Sequence, residues 1–249
     1  MKRFLAILWW TLGCAPASAL AVIPPVRLCV TQYVAPMPDG RMLGHLPYDQ
    51  AAAGDLVLAP AGFALGQPCL VRRPVAVDLA RMLAAARADG VTGLKGVSCY
   101  RSVEHQRAVF CSQIGPGRKC ANAAQRARTV GPPGYSEHAT GYAIDFGVRP
   151  SPRCEDVDDC IADTRAGKWL IGHAAQYGFE LSFPTGNAQG VTWEPWHWRW
   201  VGTVTFAPGA SDARALFQRA RAQFPASPAV AGEGIVAPAS LPNPDPSGP

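Results

Sequence analysis

The sequence predicts a single α+β domain, and three observations support that fold class. The chain has 249 residues, which suits one hydrophobic core of ordinary size. Hydrophobic residues make up 48% of the chain and charged residues 16%, so most of it is expected to fold rather than remain disordered. Segments with helical and strand patterns do not alternate strictly, which favours an α+β arrangement over a doubly wound parallel sheet.

The N-terminus has the pattern of a secretory signal peptide over residues 1–19. Met1-Lys2-Arg3 is basic, the run from Phe4 to Gly13 is apolar, and Ala17-Ser18-Ala19 supplies small residues for cleavage after Ala19. An uncleaved anchor is the alternative. The apolar run is shorter than a bilayer requires and no longer one follows, so no membrane span is expected in the mature chain. The sequence therefore predicts an exported protein of the periplasm or cell envelope.

The rest of the chain is predicted to contain an irregular segment, a core, a helix and a tail. Residues 20–70 are rich in turn residues and lack a sustained helical period. The core is expected over 71–205, with a C-terminal helix over 206–224. Residues 225–249 hold seven of the 24 prolines and no Lys or Arg, which is typical of a disordered tail.

Hydrophobic periodicity predicts the helices and strands of the core. Leu79, Met82, Leu83 and Ala86 share one face of a helix that starts at Asp78 and stops at Gly90. A strand over Val91–Cys99 and a helix from the cap Ser102 to about Cys111 follow. Further elements are a strand over Ala143–Val148, a helix with Trp169, Leu170, His173, Ala174 and Tyr177 on one face before Gly178, and strands within Phe179–Phe183 and Val191–Val201.

Cysteine usage indicates an oxidising compartment. Cleavage of the leader removes Cys14 and leaves seven cysteines: Cys29, Cys69, Cys99, Cys111, Cys120, Cys154 and Cys160. We expect the disulfides Cys111–Cys120, Cys154–Cys160 and Cys29–Cys69, with Cys99 as a buried free thiol. Spacing alone does not fix connectivity, so these pairs are hypotheses.

Charge excludes some partner classes. The formal net charge is +5 and no block of five Lys/Arg residues occurs, so nucleic acid is not an expected partner. The acidic residues within 155–159 could bind calcium, but EF-hand spacing is absent and a solvated loop closed by a disulfide is the favoured interpretation. The sequence does not predict an oligomeric state.

Two polar segments carry the residues expected to do chemistry: Ser136 to Asp145, and Glu194-Pro195-Trp196-His197. A catalytic zinc ion needs three His or carboxylate ligands and an open position for water, and His138, Asp145 and His197 supply such a set. Glu194 would point away from His197 in a regular strand, but Pro195 makes a bend plausible that turns both into one cavity. Taken singly, His45, His105 and His173 are expected to be structural.

The combined pattern Ser-x-His-x-x-Gly-x-Ala-x-Asp and Glu-x-Trp-His resembles the VanY-like D-alanyl-D-alanine carboxypeptidases, zinc peptidases of family M15. Tyr100-Arg101-Ser102 with Gln106 resembles the family's Tyr-Arg-Ser-x-x-x-Gln segment. Leu46-Pro47 and Asp55-Leu56-Val57 are similar to its N-terminal lead-in. The resemblance runs from about residue 45 to 202.

The resemblance implies roles for individual residues. His138, Asp145 and His197 would hold one zinc ion per chain, and Glu194 would be the catalytic base. Arg101, with Gln106 and Ser136, would bind the carboxylate or the scissile carbonyl of the substrate, and Arg101 could also stabilise the oxyanion. Phe183-Pro184 departs from the family, which often has a tyrosine before this proline, so a hydroxyl contact to substrate is in doubt.

The resemblance also implies a fold and a function. The fold would be Hedgehog/DD-peptidase-like, with an antiparallel sheet flanked by helices. The activity would be removal of the terminal D-alanine from peptidoglycan stem peptides, with an L,D-carboxypeptidase or an endopeptidase as alternatives that use the same zinc site. A non-catalytic, zinc-stabilised wall-binding module is a third hypothesis, and the presence of Glu194 favours the enzyme.

Overall fold

The computed structural model describes residues 23–151 and 153–231, and within them it has an α+β fold. The predicted signal peptide lies outside the described residues. The helices are α1 Arg73–Ala88, α2 Val103–Cys111, α3 Ala123–Ala127, α4 Arg165–His173, α5 Ala210–Leu216 and α6 Gln218–Gln223. The strands are β1 Val26–Cys29, β2 Gln32–Val34, β3 Leu56–Leu58, β4 Leu70–Arg72, β5 Leu94–Ser98, β6 Ala143–Val148, β7 Phe179–Leu181 and β8 His197–Trp200.

The central sheet has four strands in the order β5-β6-β8-β7, and every neighbouring pair is antiparallel. This confirms the predicted fold class. The strand predicted over Ala143–Val148 is β6, with the same bounds. The strand predicted over Val191–Val201 is shorter and starts at His197, because Pro195 has no amide hydrogen to give to a ladder.

The register between β6 and β8 places polar side chains together. Asp145 lies opposite His197 and Ala143 lies opposite Arg199. Side chains alternate along a strand, so His197 and Arg199 share one face of the sheet while Trp198 and Trp200 point to the other. The two tryptophans are buried in the main core, and the polar face is left for the site.

The two predicted helices that precede the site are α1 and α2. In α1, Leu79, Met82, Leu83 and Ala86 are buried as expected, and Gly90 ends the turn with a φ of +72°. The helix begins earlier than predicted because Pro74 is favourable in a first turn, where its missing amide hydrogen would have no partner. In α2, the Ser102 hydroxyl accepts a hydrogen bond from the amide of His105 (3.1 Å), which confirms the predicted cap.

The disulfides differ from the expected pairs. The structure contains Cys29–Cys111, Cys69–Cys99 and Cys154–Cys160, and Cys120 is a buried free thiol. The prediction of Cys154–Cys160 is therefore confirmed, whereas Cys29–Cys69, Cys111–Cys120 and the free Cys99 are wrong. The Cys29–Cys111 pair results from packing between segments that are distant in sequence. Strand β1 packs on α2, and Arg107 of that helix donates to the carbonyl of Leu28, which brings Cys29 beside Cys111.

The C-terminal part of the described chain packs against the edge of the sheet. The helix expected over 206–224 is the pair α5 and α6. Residues 225–231, expected to begin a disordered tail, instead form a segment that we call the C-terminal strap. The Leu181 amide of β7 donates to the carbonyl of Pro228 (3.0 Å), and the Ser227 amide donates to Leu181 (3.3 Å). The strap covers the edge of β7. The rest of the predicted tail lies outside the described residues.

The segment predicted to be irregular contains short strands. The pairs β1–β2 and β3–β4 are antiparallel and separate from the central sheet. Among the described residues, no helix combines the length and the apolar character that a membrane span requires.

Candidate active site and metal centre

The three predicted metal ligands come together in the structure. His138 lies in the 3₁₀ turn Glu137–Thr140, Asp145 in β6 and His197 in β8. One ligand atom from each residue lies within 4.8 Å of the other two, and all three residues are buried. The pairing of β6 with β8 places Asp145 directly opposite His197. Gly141, with a φ of +73°, turns the chain from His138 into β6.

Both imidazole rings face the same carboxylate. His138 Nε2 is 3.0 Å from Asp145 Oδ2, and His197 Nδ1 is 2.9 Å from Asp145 Oδ1. The ring centroids are 4.9 Å apart and the rings are nearly perpendicular. Two nitrogens and a carboxylate are the ligand types of catalytic zinc sites that keep a position open for water.

The second nitrogen of each ring fixes the orientation of the first. His138 Nδ1 donates to the carbonyl of Cys99 (2.7 Å), and His197 Nε2 donates to Glu137 Oε2 (3.0 Å). A carbonyl and a carboxylate only accept, so these nitrogens carry hydrogens and the other two are directed at the metal position. Metal-binding histidines are commonly held in this way.

The charges in the site leave a place for a cation. Burial, with help from the charge of Arg101, lowers the pKa of His138 to about 4, so a neutral ring turns a lone pair toward Asp145. Burial would also lower the pKa of His197, but hydrogen bonds to Asp145 and Glu137 raise it to about 10. Against the effect of burial, the two rings hold the pKa of Asp145 below its usual range. A lone pair facing a carboxylate is repulsive unless a positive charge lies between them, so the residues fit a divalent ion that displaces the His197 proton.

Glu137 is a functional residue that the sequence analysis missed. Its Oε2 accepts hydrogen bonds from His197 and from the Ser182 hydroxyl (2.6 Å), and its Oε1 accepts from Arg199 (2.9 Å). Burial would raise the pKa of Glu137, but Arg199 and His197 hold it well below the usual range. The available signal was its position directly before His138; its partners are distant in sequence and no spacing rule connects them.

Glu194 lies at the same centre. It is buried, and none of the described residues forms a hydrogen bond with its carboxylate. Burial raises the pKa of Glu194 to about 8, and a divalent cation beside it would lower the pKa again. The amide of His197 donates to the carbonyl of Glu194 (3.0 Å), a turn around Pro195 that agrees with the expected bend.

Arg101 approaches the centre from the segment between β5 and α2. Burial lowers the pKa of Arg101, and the charges of Asp145 and Glu194 act on it in the opposite direction. Its Nε is buried without a hydrogen-bond partner among the described residues. Arg101 thus brings an available donor to the cavity beside the metal position.

A cavity of about 450 Å³ surrounds these groups. Its wall includes the predicted residues Arg101, Ser136, His138, Asp145, Glu194 and His197. Gln106 is not part of the wall. It is fully buried and its amide nitrogen donates to the carbonyl of Gly131 (2.7 Å), which does line the cavity. Its predicted contact with substrate stays a prediction.

Aromatic side chains and His45 complete the wall. Phe183 packs on His197 with the ring centroids 4.9 Å apart, and its edge faces His45 at 6.2 Å. His45 was expected to be structural; it is buried, bonds the carbonyl of Ala127 and also borders the cavity. Trp196 lines the cavity, whereas Trp198 and Trp200 belong to the core.

The acidic loop near Cys154 is a weaker metal candidate. Cys154, Asp158 and Cys160 lie close together, but the two sulfurs are joined in a disulfide. Asp158 accepts a hydrogen bond from the amide of Cys160 (3.0 Å) and Asp156 pairs with Arg149. These contacts agree with a loop closed by a disulfide, and calcium binding there stays untested.

Comparison with known proteins identifies relatives of this fold and site. The family model described as VanY, D-alanyl-D-alanine carboxypeptidase, matches residues 69–203, more than half of the chain. A D-alanyl-D-alanine carboxypeptidase of Enterococcus faecalis is 34% identical over 127 residues, which cover 47% of this chain and 43% of the relative. The chain spans between 43% and 60% of the length of the first three curated relatives that it matches.

Solved structures show the same fold. The LdcB LD-carboxypeptidase superposes with a TM-score of 0.55 at 24% identity, over 80% of this chain and 90% of that chain. The D,D-dipeptidase VanXYg, in complex with a D-Ala-D-Ala phosphinate analog, has a TM-score of 0.51 at 25% identity, over 72% of each chain.

Proposed function

The chain belongs to the VanY family of D-alanyl-D-alanine carboxypeptidases, and from this premise we propose that it is a zinc-dependent carboxypeptidase that removes the terminal D-alanine from peptidoglycan stem peptides. One observation carries the proposal. A ligand set suited to zinc, a carboxylate without a hydrogen-bond partner and an arginine with an unpartnered Nε border one cavity. A binding module that only needs zinc for stability would not require the Glu194 carboxylate or the Arg101 donor in this cavity.

The chain supplies the ligands for the metal. His138 Nε2, Asp145 and His197 Nδ1 would hold zinc, with Cys99 and Glu137 orienting the two rings. When bound, zinc lowers the pKa of a coordinated water to about 7 and polarises a carbonyl oxygen. Phe183 packs against His197 in the cavity wall.

Glu194 is suited to move the proton. As the base, its carboxylate takes a proton from the attacking water and then gives it to the amine of the departing D-alanine. Its burial favours the protonated form, which helps the second half of this sequence, while a divalent charge nearby favours the ionised form needed for the first.

Arg101 is suited to bind the terminal carboxylate of the peptide. Its guanidinium reaches the cavity, and charge-assisted hydrogen bonds to a carboxylate are stronger than neutral ones. Ser136 also lines the cavity, which supports a contact between its hydroxyl and the peptide near the scissile bond.

The proposal is tested with a synthetic pentapeptide ending in D-Ala-D-Ala. We expect mass spectrometry to detect a tetrapeptide and free D-alanine, with activity lost after dialysis against a chelator and restored by stoichiometric zinc. A peptide ending in D-Ala-L-Ala serves as the matched control. No release of D-alanine by the zinc-loaded protein would contradict the proposal, as would full activity in the metal-free protein.

We also propose that the protein acts outside the cytosol, in the periplasm or cell envelope. The leader pattern at the N-terminus supports this location, and so do the three disulfides, because such bonds persist in oxidising compartments. Fractionation of cells that express the full chain, with mass determination of the mature N-terminus, tests it. Recovery of the uncleaved chain in the cytosol would contradict it.

A further inference from the structure

The cavity is lined by more basic side chains than the terminal carboxylate of a peptide requires. Arg101, Lys119 and Arg126 all line it. No carboxylate forms an ion pair with any of the three among the described residues. Arg101 and Arg126 are close enough for the charge of one to lower the pKa of the other. Two arginines that repel each other in one cavity indicate a ligand with more than one negative group.

Arg126 is held in place without a carboxylate partner among the described residues. It lies in α3, half-buried, and its Nη2 donates to the carbonyl of Val109 (3.1 Å). Its Nε is buried without a hydrogen-bond partner in the described chain. A buried donor without a partner costs stability unless a ligand satisfies it. Arg126 is thus oriented by Val109 and by the Cys120 side chain, and its Nε remains a donor without a partner.

The negative groups that also line the cavity have other uses. Asp145 faces the two metal-binding rings, and Glu137 is bonded to His197 and Arg199. Glu194 is the proposed base. If Arg101 binds the terminal carboxylate, then Arg126 and Lys119 are left for a second anionic group on the same ligand.

We propose that Arg126, assisted by Lys119, binds a second carboxylate of the peptide, so that the preferred stem peptide carries a free carboxylate on its third residue, as diaminopimelate does. This inference rests on the proposed function. The third residue is the one next to the D-Ala-D-Ala pair, so a cavity of about 450 Å³ can hold its acidic group together with the scissile bond. A lysine or an amidated residue at that position would leave the Arg126 donors unsatisfied.

Two peptides that differ in a single group test the inference. One is a pentapeptide with diaminopimelate as its third residue, and the other has the same residue with that carboxylate converted to a carboxamide. We expect the zinc enzyme to show a kcat/KM about tenfold higher for the acid, mainly through KM, the size of one charge-assisted hydrogen bond. Arg126→Gln should bring the ratio of the two kcat/KM values toward one, and Lys119→Gln should reduce it in part.

Arg118→Gln is the matched control, because Arg118 is the exposed neighbour of Lys119 between α2 and α3 and does not line the cavity. It should keep the ratio of the parent enzyme. Equal kcat/KM for the two peptides in the parent, or an unchanged ratio in folded, zinc-loaded Arg126→Gln, would overturn the inference while leaving the carboxypeptidase proposal intact. If neither peptide loses D-alanine, the proposed function itself fails.

Discussion

Two groups of charged side chains, each with one member beside His197, differ in how fully their charges are paired. The first, which we call the paired network, consists of Glu137, Arg199, Glu180 and Arg221. Arg199 bonds Glu137 (2.9 Å) and Glu180 (2.8 Å), and Arg221 lies 3.3 Å from Glu180. The second, the open group, consists of Glu194 and Arg101, whose side chains have no hydrogen-bond partner among the described residues.

This difference indicates that the paired network stabilises the structure, whereas the open group serves the proposed reaction. Buried ions are tolerated when opposite charges and hydrogen bonds surround them. The paired network is close to this state, since each of its carboxylates bonds an arginine, although Arg199 Nη2 is buried without a hydrogen-bond partner among the described residues. The open group instead retains the cost of burial, and a substrate with a carboxylate and a water near the metal could satisfy it. Substitutions in the open group should therefore reduce turnover, and substitutions in the paired network should reduce stability or metal affinity.

The largest expected effect is on turnover in the open group. Glu194→Gln should lower kcat roughly a thousandfold, within the range of general acid–base catalysis, because the amide cannot accept the proton. Zinc content by atomic emission and the melting temperature should stay at the parent values. Glu104→Gln, an exposed change on α2, is the control and should leave kcat as it is. Substantial turnover by zinc-loaded Glu194→Gln would remove this residue from the mechanism.

The next effect concerns stability in the paired network. Arg199→Ala leaves Glu137 and Glu180 as neighbouring buried acids without their shared cation, so unfolding in urea should show a loss of about 3–5 kcal/mol. Arg219→Ala provides a contrast, because the Arg219–Asp39 pair is partly exposed and should contribute less than about 1 kcal/mol. Equal losses in the free energy of unfolding for the two variants would mean that the paired network stabilises the fold no more than an exposed ion pair does.

A smaller effect, on zinc affinity, is expected at Glu137, the member of the paired network that contacts His197. Glu137→Gln keeps the shape of the side chain but weakens the acceptor for His197 Nε2, so zinc affinity should fall by about 10- to 100-fold. Competition against a chromophoric chelator measures this affinity, and Ser182→Ala, which removes one other bond to Glu137, should cost less. An unchanged affinity in Glu137→Gln would show that the ring is held by Asp145 alone.

The smallest effect should come from Phe183→Tyr. It adds a hydroxyl to the cavity wall beside His197, at the position where the family resemblance led us to expect a tyrosine. We expect KM to change by less than about tenfold with zinc content unaltered, the scale of a single neutral hydrogen bond. A loss of zinc would mean that the new hydroxyl disturbs His197 instead of reaching the peptide.

Part of the metal centre was predictable because it is local, whereas His197, 52 positions from Asp145, was predicted from its own motif and from the family resemblance. His138 and Asp145 are joined by one turn and one strand, and the motif with Pro195 carried enough information to place Glu194 beside His197. The class of fold followed from the order of the predicted elements, with a hydrophobic period indicating α1, the Ser102 cap indicating α2 and a short strand segment indicating β6. These features depend on short stretches of chain, where sequence patterns are informative.

Features that depend on distant contacts were not predictable. Glu137 meets Arg199 across 62 positions and Cys29 meets Cys111 across 82, and neither spacing has a rule. The C-terminal strap has a composition typical of disorder, yet the amide and carbonyl groups exposed along β7 bind it. In each case tertiary packing overrode the local signal.

The Cys69–Cys99 disulfide couples the oxidation state of the chain to the metal site. Cys99 is the residue whose carbonyl orients His138, and the bond ties it to Cys69, just before β4. Reduction would leave that carbonyl held by fewer constraints, so we expect the reduced chain to bind zinc less tightly. A chain folded in a reducing cytosol and one folded after secretion would then share a sequence but not the same readiness to load metal.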